Sequence, residues 1–371
     1  MKNRIIGYDL ARALALFGMV VVNFKIVMGA ADNGPPWLVN LTGLLEGRAA
    51  ATFVLLAGVG ISLLSGKARS SNTPEATVPI RNTLLKRALF LFVVGLLYTP
   101  VWPADILHFY GVYIAVAALL LTSSIRKLSI LSFLLMVGFV VMFFAFNYEQ
   151  EWNWKTLEYA GFWTPLGMTR NLFFNGFHPT IPWLSFLLIG MIIGRFDMNN
   201  LVVRRRVFWA GLVTALTAEA TSWLLIESLS AGVIIADQEA IVAIFGTKPM
   251  PPMPLYILAG AGAASAIVAV SVEVGVRCGS DRWIRPWVAT GQLALTLYVA
   301  HVVVGMGILE AIDRLENQTL PFSLLASGVF FVLSVVFAYL WRSRFKRGPV
   351  EMLMRYLTEK RRTEPGTGPD A

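Results

Sequence analysis

The sequence predicts an all-α fold, a polytopic integral membrane bundle with both termini in the cytoplasm. The chain divides into about ten apolar runs, each near the ~20 residues that a helix needs to cross a bilayer. Its 371 residues are 56% hydrophobic and 14% charged, whereas soluble domains carry about 25% charged residues. The connecting segments alternate between basic and basic-poor. Because cationic loops stay in the cytoplasm, this alternation fixes the predicted topology.

About ten transmembrane helices follow from these runs. The predicted spans are residues 11–29, 47–65, 84–100, 106–123, 128–146, 179–195, 207–226, 254–275, 289–309 and 322–341. We expect residues 1–362 to form a single transmembrane domain and 363–371 a disordered cytoplasmic tail, because that tail is rich in Gly and Pro. The long outer segment 147–178 is expected to pack on the outer surface or to cap a cavity.

The net charge of +9 does not indicate a nucleic-acid partner. The positive charge lies on short loops between apolar spans, which fits topology and contact with the anionic head groups of a lipid bilayer. A multi-pass protein of the plasma membrane is the expected localisation. The single Cys278 cannot form an internal disulfide.

Ionisable groups at membrane depth are costly, so each is a candidate for function. Asp9 and Arg12 are three residues apart at the start of the first span, where they can pair. They form either part of a site or an interfacial ion pair that sets helix depth. Lys25 is expected to snorkel outward. Arg48, which follows Glu46, either binds an anionic group or pairs with a carboxylate.

The three histidines of the chain all map to the predicted outer half of the membrane. His108 lies three residues after Asp105, and a carboxylate there would fix the imidazole tautomer for general-base chemistry. The alternative is a surface hydrogen bond at a helix N-terminus. His178 precedes the sixth span and His301 lies in the ninth. Their common depth predicts a shared site.

Two other kinds of chemistry lack support. No HxxH or HExxH spacing is present, so no metal site is predicted. No serine stands in a Gly-x-Ser-x-Gly context, which argues against a serine nucleophile. Glu219, in the seventh predicted span, either faces a polar interior or forms hydrogen bonds as a neutral acid.

Six segments of the chain resemble those of two related bacterial groups. These groups are the YeiB-type family (domain of unknown function 418) and the heparan-α-glucosaminide N-acetyltransferase-like family. The segments are 9–23 (D-x-x-R to V-N), 46–58 (E-G-R to A-G), 105–111 (D-I-L-x-x-Y-G), 178–195 (P-W to G-R), 291–301 (A-L-T-x-Y-x-x-H) and 348–355 (G-P-x-E). Two departures are Ala13, where Gly is usual, and an outer loop with Asp32, Asn33 and Trp37 but no histidine.

The resemblance implies a membrane acyltransferase that takes an acyl group, typically from acetyl-CoA in the cytoplasm, to an acceptor hydroxyl or amine at the outer side. Acceptors of this kind are small molecules, glycans or lipid-linked groups, and a homodimer is a possible assembly. The residues assigned to catalysis are His178, His301, His108 and Asp105. Those assigned to substrate binding are Arg48, Asn23, Trp183 and Glu46, and those assigned to the cofactor are Arg12 and Asp9.

Two alternative functions stay open at this stage. The first is a transporter or exporter of a small metabolite, in which the charged groups line an alternating-access pathway. The second is a non-catalytic membrane partner, in which these groups only pair between helices. Substrate flux without an acyl donor would distinguish the transporter.

Overall fold

The computed structural model describes residues 4–71, 73–154, 156–232 and 234–359, and these are almost entirely helical. One antiparallel pair, β1 (Trp152–Asn153) with β2 (Glu158–Tyr159), is the sheet structure of the described part. The helices are α1 (Ile6–Val27), α2 (Pro36–Gly43), α3 (Arg48–Leu64), α4 (Gly66–Ser71), α5 (Pro74–Tyr98), α6 (Leu107–Leu119), α7 (Ile125–Ala145), α8 (Pro165–Arg170), α9 (Thr180–Ile193), α10 (Leu201–Ser230), α11 (Ile235–Phe245), α12 (Pro254–Cys278), α13 (Ile284–Gln292), α14 (Ala294–Ala300), α15 (Gly307–Ala311), α16 (Leu320–Arg344) and α17 (Pro349–Thr358).

Length and composition identify seven helical spans in the described residues that are able to cross a membrane. An eighth is added if Pro165–Asn175 and Thr180–Ile193, which meet at a 50° bend, form one span. The all-α membrane bundle is therefore confirmed, but the predicted count of ten is not. The difference arises partly at α6, which has only 13 residues, and partly at α5, whose apolar stretch includes Arg81, Lys86 and Arg87.

Helix α1 is the centre of the bundle and packs against α3, α12, α13 and α16. Asp9 lies in its first turn and Lys25 in its last, so both charges oppose the helix dipole favourably. The pair α3 and α9 approaches closely because glycines face backbone. A Cβ at Gly58 would lie 1.9 Å from the Leu187 carbonyl oxygen, and one at Gly190 would lie 1.9 Å from that of Leu55. Small residues at these positions therefore let the two helix backbones pack closely.

The helix predicted over 289–309 is broken rather than continuous. Helix α13 ends at Gln292, and Leu293 has φ −105° and ψ 19°, outside the helical region. The chain resumes as α14, passes through a π-helical segment, His301–Met306, and ends as α15. The break brings Tyr298 and His301 to the middle of the bundle, where both are buried.

The C-terminal helix α17 is short and amphipathic. Leu353, Tyr356 and Leu357 are exposed on it, a composition typical of helices that lie at a membrane surface. The segment 363–371, for which a disordered tail is predicted, lies outside the described residues.

Candidate functional site

A cavity of about 110 Å³ lies inside the bundle at the end of α1 that carries Asn23. Its walls are mostly apolar and come from α1, α3 with the turn before it, α9, α14 and three interhelical segments. The lining residues are Met19, Val22, Asn23, Ile26, Leu45, Gly47, Ala49, Ala50, Ala104, Ile106, Phe177, His178, Trp183, Pro249, Met250 and Tyr298. The few polar groups in such a wall fix the orientation of whatever enters.

His178 lines this cavity from the short segment between the π-helical turn Asn171–Asn175 and α9. Its ring lies edge-on to Trp183, with 4.6 Å between ring centroids, and 5.9 Å from the ring of Phe109. The hydroxyl of Tyr113 donates to its backbone carbonyl. Its Nδ1 is buried and has no hydrogen-bond partner among the described residues. The bond to its backbone carbonyl and the ring contacts therefore hold the His178 imidazole in place, while its Nδ1 has no partner among the described residues.

The outer segment predicted to pack on the surface or cap a cavity supports the His178 turn. The indole Nε1 of Trp152 donates to the backbone carbonyl of Asn175 at 2.6 Å. The amide of Asn175 donates in turn to the carbonyl oxygens of Tyr148 (2.9 Å) and Gln150 (3.0 Å). These bonds fix the turn three residues before His178.

Trp183 is fully buried and lies against both His178 and Tyr256. Its indole Nε1 has no hydrogen-bond partner in the part of the chain that the structure describes. A buried indole N–H normally finds an acceptor. Trp183 Nε1 is therefore a buried donor, on a residue that lines the cavity, without an acceptor among the described residues.

His301 has both ring nitrogens occupied. Its Nδ1 lies against the backbone carbonyl of Tyr298, which can only accept, so Nδ1 carries the proton. Its Nε2 then accepts from the side-chain amide of Asn23 at 2.8 Å. The arrangement holds His301 as a neutral imidazole behind Asn23, and Asn23 itself lines the cavity.

Asp105 and His108 form the predicted carboxylate–imidazole pair. His108 Nδ1 lies 3.2 Å from Asp105 Oδ2, and both side chains are buried. Asp105 also accepts from the backbone N–H of Leu107 at 2.8 Å, so it caps the start of α6, as the alternative interpretation expected. The predicted pairing and the bond at the helix start are both present, but they are buried and not at the surface, and the general-base role stays a prediction. His108 Nε2 is buried without a partner among the described residues.

Tyr298, which was not predicted as a site residue, connects these groups. Its hydroxyl donates to Asp105 at 3.3 Å, and its ring lies 4.9 Å from that of His301. On the other side, Phe109 lies between His108, at 4.0 Å, and His178, at 5.9 Å, measured between ring centroids. The three histidines, drawn from three parts of the chain, thus belong to one group. We call it the cavity cluster; it comprises Asn23, Asp105, His108, His178, Trp183, Tyr298 and His301.

Glu46 and Arg48 flank the cavity-lining Gly47, but their side chains form ion pairs elsewhere. Glu46 pairs with Lys25, and Arg48 pairs with Glu219. Lys25 is buried, so the prediction that it snorkels outward is wrong: a carboxylate on another element neutralises it inside the bundle. Glu219 also accepts from the Thr247 hydroxyl at 2.8 Å, which resolves its role as a paired carboxylate.

Asp9 and Arg12 lie apart from the cavity. Asp9 is fourteen positions before Asn23 on α1, which corresponds to ~21 Å along the helix axis. Its carboxylate accepts from Arg12 at 2.6 Å, Arg4 at 2.8 Å and Gln292 at 3.3 Å. We call these four residues the Asp9 cluster. The predicted Asp9–Arg12 pair is confirmed.

A further arginine near this end of the bundle is only partly paired. Arg195 follows α9, and its buried Nε and Nη2 have no hydrogen-bond partner within the described residues. Burial, and then the nearby charge of Arg69, lower the pKa of Arg195 from its ordinary value. Among the described residues, Arg195 forms no ion pair with a carboxylate.

No grouping of three or more His, Cys, Asp or Glu side chains suited to a metal ion occurs in the described ranges. In the cavity cluster, His108 contacts a carboxylate, and His301 contacts a backbone carbonyl and a side-chain amide.

Comparison with known families separates the chain into two overlapping parts. The sequence profile described as heparan-alpha-glucosaminide N-acetyltransferase, catalytic, matches residues 4–229, more than half of the chain. The profile described as protein of unknown function DUF418 matches residues 197–361. No curated protein sequence matches the chain significantly. The chain is therefore a multi-pass membrane protein that belongs to the heparan-alpha-glucosaminide N-acetyltransferase catalytic family and continues into a DUF418 region.

Proposed function

We propose that this protein is an integral membrane acyltransferase that uses acyl-CoA, with acetyl-CoA as the first donor to test. It transfers the acyl group to a hydroxyl or amine at the outer face of the plasma membrane. The observation that carries the proposal is the cavity cluster, in which His178 Nδ1 and Trp183 Nε1, on residues that line a small apolar cavity, stay unpartnered among the described residues. Membership of an acetyltransferase family supports the choice of chemistry.

His178 is the proposed acid–base residue because it lines the cavity and has a free Nδ1. In direct transfer, the acceptor's oxygen or nitrogen attacks the thioester carbon and gives its proton to the imidazole. The carbon–sulfur bond breaks, and the imidazolium returns the proton to the departing CoA thiolate. Proton transfer by a positioned histidine accounts for about 10²–10⁴-fold of rate.

Trp183 is the proposed donor to the acyl oxygen. As the acceptor attacks, negative charge develops on the carbonyl oxygen, and a fixed N–H in an apolar wall stabilises it. The unpaired Nε1 of Trp183 lies beside the His178 ring and meets that need. Its full burial keeps the N–H from water.

The remaining members of the cluster act as supports. Asp105 fixes the tautomer of His108, and Tyr298 joins that pair to the wall of the cavity. Asn23 is held by His301 and presents the rest of its amide to the cavity. Glu46 and Arg48 hold the Gly47 turn in the wall through their ion pairs. In this proposal, Glu46 and Arg48 help to position the substrate through the cavity wall and do not bind it directly.

The donor enters from the predicted cytoplasmic end, where the Asp9 cluster lies. Arg12 and Arg195 are proposed to bind CoA phosphates, since guanidinium groups bind phosphate in a bidentate manner. Asp9 orients Arg12, whose side chain remains partly exposed. A second cleft of about 410 Å³, lined by Glu239, Lys248 and others, shares Met250 with the cavity and offers a path for the acceptor.

The experiment is donor turnover by the purified protein in proteoliposomes. Radiolabelled acetyl-CoA is supplied with a panel of sugars, amino sugars and lipid-linked acceptors, and both free CoA and labelled product are measured. We expect acceptor-dependent CoA release that His178→Ala abolishes and Asp32→Asn, an exposed change in the outer loop, leaves intact. A wild-type protein that moves substrate across the membrane without any donor, and releases no CoA, would instead be a transporter.

A further inference from the structure

The break between α13 and α14 creates polar groups that need partners. A helix that restarts inside a bundle has N–H groups in its first turn without intrahelical acceptors. Leaving them unpaired in an apolar environment is costly. At this restart the first N–H groups belong to Ala294, Leu295 and Thr296.

The acceptor for these N–H groups lies on α17, near the C-terminal end of the DUF418 region. One carboxylate oxygen of Glu351, on α17, accepts from the backbone N–H groups of Leu295 at 2.9 Å and Thr296 at 3.1 Å. Its other oxygen accepts from the Thr296 hydroxyl. That hydroxyl in turn accepts from the backbone N–H of Val350 at 3.0 Å. A carboxylate thus caps a helix that begins 57 residues earlier in the chain.

Gly348 is required for this contact. A Cβ at that position would lie 2.3 Å from Glu351 Oε2, 2.6 Å from Thr296 Oγ1 and 2.9 Å from Leu293 Cγ. Any side chain there would displace the carboxylate from α14. The G-P-x-E pattern therefore has a physical explanation: Gly makes room, Pro begins α17, and Glu reaches the broken helix.

The capped helix carries part of the cavity cluster. Tyr298 lies two residues after Thr296, and His301 follows five residues after it. Tyr298 contacts Asp105, and His301 contacts Asn23. The register and tilt of α14 therefore determine both contacts.

We propose that Glu351 is a positioning residue that fixes α14 and thereby sets Tyr298 and His301 against the cavity. Its effect on catalysis rests on the proposed acyltransferase function, whereas the contact itself does not. A negative charge at the N-terminus of α14 also opposes the helix dipole favourably.

The direct test is amide hydrogen exchange of the full-length protein in lipid nanodiscs. Glu351→Ala should speed exchange at Leu295 and Thr296 about five- to tenfold, the change expected when a helix loses its cap. Glu351→Gln should keep most of the protection, because its amide oxygen still accepts from both N–H groups. Gly348→Ala should reproduce the alanine effect while leaving the carboxylate in the sequence.

The matched control is Glu359→Gln, directly after the same helix. Glu359 pairs with Arg87 and Arg355, and within the described residues it forms no hydrogen bond or ion pair with α14. Protection at Leu295 and Thr296 should therefore survive in this variant. Equal loss in Glu359→Gln and Glu351→Ala, or no loss in Glu351→Ala, would overturn the proposal.

The catalytic consequence has a separate readout. Glu351→Ala should lower kcat for acyl transfer roughly 10- to 100-fold with little change in KM for acyl-CoA, because misplaced groups slow chemistry. Glu351→Gln should restore most of kcat. If the wild-type protein shows no acyl transfer, the proposed function fails while the exchange result still decides the role of Glu351.

Discussion

The two polar clusters along α1 differ in how fully their central groups are paired. At one end, the Asp9 carboxylate has three donors, from Arg4, Arg12 and Gln292. At the other end, the cavity cluster leaves His108 Nε2, His178 Nδ1 and Trp183 Nε1 without partners among the described residues. Saturated groups hold a fold together, whereas free nitrogens beside a cavity are able to exchange protons or bind substrate. In the proposed function, the Asp9 cluster therefore contributes to structure and donor binding, and the cavity cluster contributes the chemistry.

The largest effect on the difference between the two clusters is expected from removal of the His178 imidazole. His178→Ala should lower kcat at least 100-fold, since it deletes the proposed acid–base group. Stability should fall only modestly, because the variant loses ring contacts with Trp183 and Phe109 but no hydrogen bond of the ring nitrogens that the structure describes. Steady-state CoA release and thermal unfolding in detergent measure the two effects. Normal kcat in this variant would remove His178 from the mechanism.

Substitution of Trp183 is a sharper test, because one variant removes its N–H group and keeps an aromatic ring. Trp183→Phe keeps an aromatic ring but deletes Nε1–H, and kcat should fall about 10²-fold, as for loss of one oxyanion donor. The matched control is Trp102→Phe. Trp102 is also buried with an unpartnered Nε1, but it does not line the cavity. Similar losses of kcat in both variants would mean that packing, rather than the Trp183 donor, is responsible.

The Asp105–His108 pair should give a smaller effect, because the proposal makes it a support. Asp105→Asn retains the shape but lets an amide face His108 Nδ1, so the imidazole tautomer is no longer fixed. We expect kcat to fall roughly tenfold, within the range for supporting hydrogen bonds. Nitrogen-15 NMR of labelled histidine should reveal the changed tautomer of His108. An unchanged spectrum together with reduced kcat would contradict this explanation.

Substitutions at the predicted cytoplasmic end should change KM for acyl-CoA rather than kcat. Arg195→Gln should raise KM for acyl-CoA about fivefold, with the effect shrinking at high salt, because one charge-assisted phosphate contact is lost. The control is Arg205→Gln, an exposed arginine on α10. A fall in kcat with constant KM in Arg195→Gln would place the donor elsewhere.

The sequence predicted the grouping of the histidines but not the residue that connects them. His108, His178 and His301 share a depth in the predicted spans, which made a shared site plausible, but only the structure shows that the three lie in one group. Tyr298 was not predicted as a site residue, because an aromatic residue within an apolar run usually belongs to the core. Its position three residues before His301 was the available signal. The burial of Lys25 was missed because its partner, Glu46, lies on another element.

The sequence alone also did not predict the helix break at Leu293 or the number of membrane spans. No proline marks position 293, and the capping carboxylate lies 58 residues further on, so local pattern predicts a continuous helix over 289–309. Likewise, apolar composition marked 106–123 as a span, yet the helix there stops at Leu119. Tertiary contacts made by distant segments decide such features, and hydropathy does not record them.

The most direct test of the central claim is a structure of the protein in lipid nanodiscs with a non-hydrolysable acyl-CoA analogue. The account predicts the acyl end in the cavity between Asn23, His178 and Trp183, with the phosphates at Arg12 and Arg195. An analogue bound away from this cavity, or a cavity filled by lipid while the analogue is bound, would contradict it.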